Sequence, residues 1–198
     1  MSSFLDEPVR GFLDQLAART PTPGGGGAAA VTGAMAAGLV AMAARFSATR
    51  LPGAGELADQ AEELRRRLAQ LADLDARAYA AVLEALRLPR EASEREAQRQ
   101  EALLGAALVP LEIAGIGARV ALMAARLAEA GNPNLRGDAM TGAVLAAASA
   151  RSAACLVDIN VELGGLDPGL SGRAAQAAAD AGDAADRFMS TERTGQEQ

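Results

Sequence analysis

Alanine fills 50 of the 198 positions, about a quarter of the chain, and no other feature restricts the fold as strongly. It loses no side-chain freedom in a helix, while the β-branched and aromatic residues that favour sheets are sparse. An all-β fold is thereby excluded. A single all-α domain is expected, since 198 residues can bury a core without metals or disulfides.

Prolines and glycines divide the chain into six predicted helices. The first covers about Phe4 to Arg19 and stops before Thr20-Pro21-Thr22-Pro23, where two prolines enforce extended backbone. Gly24 to Gly27 lead into a second helix that ends near Ser47, and a long third runs from about Ala54 to Arg87. The fourth starts near Glu91 and ends near Gly131, with Pro110 expected to kink or split it. The fifth runs from Asp138, read as an N-cap, to about Leu163, and the sixth from about Leu170 to Met189. Short connections make neighbours antiparallel, so residues 1–189 are expected to form one helical bundle followed by a polar, unstructured tail at 190–198. The second and fifth helices are small-sided and apolar all round, which suits burial among other helices or across a homodimer interface.

Composition narrows the chemistry. There is no His, no Trp and a single Cys, so imidazole base catalysis and the Ser-His triad are out, and no metal site is expected. Any catalysis must use carboxylates, arginines, amides or hydroxyls. A net charge of −6 and few aromatics argue against nucleic acid. Cys155 lies in an apolar stretch and reads as a small core residue in a reduced protein. Met1 to Leu16 carries Asp6, Glu7 and Asp14 in place of a secretory leader, and Ala28 to Ala44 is shorter than the roughly 20 residues of a membrane span. A cytoplasmic protein without membrane attachment is expected.

One charge interrupts an apolar stripe. Leu57, Ala61, Leu64, Leu68, Leu71, Ala78 and Val82 follow alternating steps of four and three, and the missing step is Asp75. At about 100° per residue Asp75 projects into that seam, whereas Asp59, Arg66, Asp73, Arg77 and Glu84 project away. Removing a carboxylate from water costs several kcal/mol unless it is paired, hydrogen-bonded or protonated. Asp75 is therefore either bonded to an Arg or to backbone amides of another helix, or it lines a cavity as a general base or a partner for a cation. Tyr79, one turn on, shares its hydrogen bonds or packs as an ordinary tyrosine.

Two polar turns complete the candidates. Pro23-Gly24-Gly25-Gly26-Gly27 ahead of a helix offers free N–H groups to an anion or carbonyl, or simply permits close packing. Gly131-Asn132-Pro133-Asn134-Leu135-Arg136-Gly137-Asp138 offers Asn134 and Asp138, each with an ordinary turn or capping role as the alternative. Asp158 and Asn160, two residues apart on a helix, cannot share a face.

The run Pro21-Thr22-Pro23-Gly24-Gly25-Gly26 entering an Ala-rich helix resembles the opening motif of the formimidoyltetrahydrofolate cyclodeaminase and methenyltetrahydrofolate cyclohydrolase family. Asp75-Ala76-Arg77-Ala78-Tyr79 with Leu88-Pro89, then Val109-Pro110-Leu111, then Gly131-Asn132 through Asn134 to Asp138, agree in order and spacing. The resemblance implies an all-helical homodimer acting on a reduced folate, its substrate and not a resident cofactor, at a cleft by the subunit interface. It implies Asp75 and Asp138 as catalytic residues. Pro23, Gly24, Gly25, Gly26, Tyr79, Asn134 and Asn160 would bind substrate. Arg45, Arg50 and Arg119 are candidates for the glutamate carboxylates. Gly137 and Leu156 depart from the family's usual Ser and Asn. Cyclohydrolysis is the expected reaction, with cyclodeamination or a non-catalytic folate-binding or assembly module as alternatives.

Overall fold

The computed structural model describes residues 3–89 and 93–189, and among these it contains six α-helices, two 3₁₀ turns and no strand. The helices are Val9–Ala17 (α1), Gly25–Arg45 (α2), Ala54–Arg87 (α3), Arg95–Ala130 (α4), Arg136–Gly164 (α5) and Gly169–Met189 (α6), and the turns Phe4–Asp6 and Pro133–Leu135. α2 packs against α3, α4 and α5, the broadest pairing is α4 with α5, and α6 covers those two.

Small residues let the backbones approach. Ala36, Ala37 and Ala41 of α2 and Ala146, Ala150 and Ala153 of α5 are fully buried, and the larger filling comes from Leu68, Leu71, Ile113 and Val120. A Cβ on Gly117 would stand 3.0 Å from both the Ala146 carbonyl oxygen and the Ala150 Cβ, tighter than ordinary contact. Ser149, itself buried, donates its hydroxyl to the Ala29 carbonyl at 2.7 Å and so ties α5 to α2 without an unsatisfied polar group. α5 ends where Gly165 adopts the left-handed conformation at φ 58°, open to glycine without steric cost.

Several expectations are corrected. The first predicted helix is broken at Pro8 into a 3₁₀ turn and α1, because proline cannot donate to a preceding turn. The turn is held by the Phe4 N–H donating to Asp73 at 2.9 Å, so Asp73 does not simply face solvent. α4 is continuous through Pro110, neither split nor ended there. Asp138 lies in the first turn of α5, which starts at Arg136, and Leu135 occupies the N-cap position. Cys155 is exposed, not a core residue. The predicted start at Glu91 and the tail at 190–198 fall outside the described residues.

α2 has 21 residues, so the expected shortfall against a membrane span does not hold. By length and composition α2, α4 and the stretch Pro133–Gly164 are each apolar enough to cross a bilayer, while 50–56% of their most apolar windows is buried inside the bundle.

Close packing at Gly117 sets a first prediction. Gly117→Ala is expected to lower the free energy of unfolding by about 1–3 kcal/mol through overpacking. Gly115→Ala, two residues away where a Cβ meets nothing within 4 Å, is expected to be neutral or to stabilise by up to about 1 kcal/mol. Urea denaturation of both variants measures the contrast.

Candidate active site

Asp75 leaves the apolar seam of α3 to meet the start of α2. Its Oδ2 accepts the Gly27 N–H at 3.1 Å. The adjoining turn closes on the carboxylate because Gly26 has no side chain: a Cβ there would overlap Asp75. Burial pushes the Asp75 carboxyl above the ordinary aspartate value of 3.8, and the Gly27 hydrogen bond offsets only part of that. Burial and the Gly27 N–H are the influences on this carboxyl, and among the described residues no guanidinium neutralises Asp75. Of the two alternatives for an inward acid, the backbone-amide bond and the cavity are both present.

The cavity is a cleft of about 460 Å³ between the start of α2, the later turns of α3 and α5 and the early turns of α4. Gly24, Gly25, Gly26, Asp75, Tyr79 and Asn160 make its polar end, and Leu83, Leu86, Leu103, Leu156, Ile159 and Leu163 its apolar wall. The N–H groups of Gly25 and Gly26 stand in the first turn of α2, where no carbonyl precedes them to accept. They carry the positive end of the helix dipole into the cleft beside the carboxylate.

Asn160 is held by a defect in α4. Pro110 has no N–H, so the carbonyl of Ala106, four residues earlier, has no intrahelical donor. The Asn160 Nδ2 donates to that oxygen and to the Leu156 carbonyl, each at 2.9 Å. Both amide hydrogens are used, which assigns the orientation of the group and leaves Oδ1 as an acceptor on a cleft-lining residue.

The cleft thus unites Gly24, Gly25, Gly26, Asp75, Tyr79 and Asn160. Pro23 is buried beneath the loop, after a cis Thr22–Pro23 bond, while Pro21 and Thr22 line the cleft instead. The remaining candidates lie elsewhere. Asp138 stands in the first turn of α5, about 33 Å from Asn160 by helix rise, and Asn134 lies in the 3₁₀ turn just before it. Arg45 is at the far end of α2, paired with Glu62 at 3.1 Å, Arg50 is exposed beyond it, and Arg119 lines a separate groove with Arg67 and Glu112. In that distant turn Asn132 receives the Asn134 N–H and donates to the Phe46 carbonyl, locking α2 to α5. Tyr79 is exposed and makes no hydrogen bond to Asp75. Asp158 is exposed, as its offset from Asn160 requires.

The apolar wall was not singled out from sequence. Part of it was legible: Val82 and Leu86 follow Asp75 by seven and eleven residues, hence on its own helical face. A groove of about 500 Å³ between α1 and α2 is lined by Phe12, Leu13, Met35 and other apolar side chains, without a buried acid.

Residues 8–165 match the formiminotransferase-cyclodeaminase family. The chain belongs to it. As a family member it is 40% identical over 172 residues to a methenyltetrahydrofolate cyclohydrolase of Methylorubrum extorquens, covering 82% of each chain. It is 33% identical over 156 residues to the mouse formimidoyltransferase-cyclodeaminase, matching 71% of this chain but 28% of that longer protein. The crystal structure of formiminotetrahydrofolate cyclodeaminase from Thermotoga maritima superposes with a TM-score of 0.82 at 28% identity, over 91% of this chain and 93% of that one.

The recess makes Gly26 and Gly27 unequal. Gly26→Ala is expected to displace the carboxylate and cost about 1–3 kcal/mol, whereas a Cβ on Gly27 meets Pro23 at an ordinary 3.6 Å and Gly27→Ala is expected to be tolerated. Thermal unfolding and a crystal structure of each variant would show it. Because Asp75 keeps its proton to higher pH folded than unfolded, its contribution to stability declines as pH rises from 3.8 through the folded value. Asp75→Asn is expected to melt higher than wild type at pH 7, the gap closing below about pH 3.8, which melting scans across pH would follow.

Proposed function

We propose that this chain is a folate one-carbon enzyme that hydrolyses 5,10-methenyltetrahydrofolate to a formyltetrahydrofolate, with Asp75 as general base and acid. The observation that carries this reading is a single unpaired, half-buried carboxylate facing a cleft beside free helix N–H groups. The cyclohydrolase relative of matching extent supports it.

The chemistry follows from charge. The methenyl carbon bridges two nitrogens and carries their positive charge, which a carboxylate attracts. Asp75 takes one proton from water as its oxygen bonds to that carbon, giving a neutral tetrahedral adduct. One carbon–nitrogen bond then breaks, Asp75 returns its proton to the departing nitrogen, and the adduct's hydroxyl proton leaves to solvent as the formyl carbonyl forms. The raised pKa of Asp75 suits both directions of transfer. The Gly25 and Gly26 N–H groups are placed for an oxygen that gains negative character, and the Asn160 Oδ1 for a pterin N–H. Among the described residues, Asp75 and Tyr79 are the ionisable groups lining the cleft. A single proton carrier fits hydrolysis more simply than ammonia expulsion. Cyclodeamination is the second reading, favoured by the likeness to the Thermotoga enzyme: the other folate nitrogen attacks a formimino carbon and ammonia departs.

The protein is further proposed to be a cytoplasmic homodimer that binds neither nucleic acid nor membrane. Val9, Leu13 and Met35 are 75%, 57% and 54% exposed around the α1–α2 groove, an apolar surface that a second copy would cover. An antiparallel partner would also bring Asn134 and Asp138 from its far end toward a cleft they cannot reach within one chain.

Purified protein is expected to bleach the methenyl chromophore, and Asp75→Asn to lower kcat/KM by about 10²–10⁴-fold. The wild-type rate should fall on the acid side with a midpoint above pH 3.8, a limb absent from the variant's residual activity. A variant within tenfold of wild type would remove Asp75 from the mechanism.

A further inference from the structure

No cation among the described residues lines the cleft, yet a folate ends in carboxylates, so the anionic tail of the ligand proposed above calls for a cation beyond these lining residues. α4 shows where. Leu103 and Ala106 face the cleft, and Arg99, one turn before Leu103, continues their face toward the rim. Arg99 lies about 10 Å from Ala106 by helix rise, the scale of an aryl-amide bridge. Its Nη1 donates at 2.7 Å to the carbonyl of Leu163, the last cleft-lining residue of α5, which fixes the guanidinium at the rim. Arg95, one further turn out, is half-buried on the same face.

We infer that Arg99, with Arg95 outside it, is the subsite for the ligand's glutamate carboxylates, an assignment that rests on the folate reading. Glu96 now occupies the Arg99 fork through Nε at 3.1 Å and Nη2 at 2.8 Å. Its side chain is 64% exposed, so the pair is weak and exchangeable in water. A tail carboxylate takes the same bidentate geometry, and Glu96 is the internal competitor it displaces. Arg45 at the far end of α2, Arg50 beyond it and Arg119 in a separate groove stand too far away for this task.

The test is equilibrium binding of tetrahydropteroate, tetrahydrofolate and its triglutamate to wild type, Arg99→Met and Glu96→Gln, with circular dichroism confirming the fold. Arg99→Met is expected to weaken both glutamylated ligands about tenfold and tetrahydropteroate less than twofold. Glu96→Gln, which leaves the Leu163 contact intact, is expected to tighten only the glutamylated ligands. Equal weakening of all three by Arg99→Met, or no change from either variant while wild type binds, overturns the subsite and leaves the folate reading standing. Failure of wild type to bind any of the three overturns both.

Discussion

The contact between Asp75 and the first turn of α2 is what the site is built around. It joins two helices distant in sequence through one backbone N–H, and it requires a bare α-carbon at Gly26 to close. Its physical effect is to keep a carboxylate partly out of water with one donor and no cation, so that the proton is held more firmly than on a free aspartate. A guanidinium in the same place would have secured the charge and removed its use as a base.

A second coupling supports the opposite wall. Pro110 costs α4 a hydrogen bond, and a side chain from α5 supplies the replacement. What would be a flaw in an isolated helix becomes the anchor for Asn160, whose amide is thereby oriented without any bound ligand. The continuous course of α4 through Pro110 has the same origin, since packing against α5 holds the turn together. Both couplings are preorganised, which is how a fixed environment is worth more to a transition state than mobile water.

The bundle is otherwise a packing device. Alanine and glycine faces bring α2, α4 and α5 close, and the long axes that result separate the two polar turns by the length of the molecule. The cleft lies at one end, with its carboxylate and amide inside and Arg99 bonded to the Leu163 carbonyl beside it. The turn holding Asn134 and Asp138 lies at the other, where its visible work in one chain is to clamp α2 to α5.

Helix content, the limits of α3 and the inward direction of Asp75 were all readable from local information: alanine content, glycine and proline punctuation, and a period of three and four. Those signals depend only on neighbours along one helix. Which far-off groups meet does not. That Gly26 makes room for Asp75, that Asn160 answers Pro110, and that Asn134, Asp138, Arg45 and Arg50 fall at the other end followed only from how the helices pack. Sequence order carries the spacing along each rod, but the alignment of one rod against another is a sum of many small contacts, and it appears only in the assembled core.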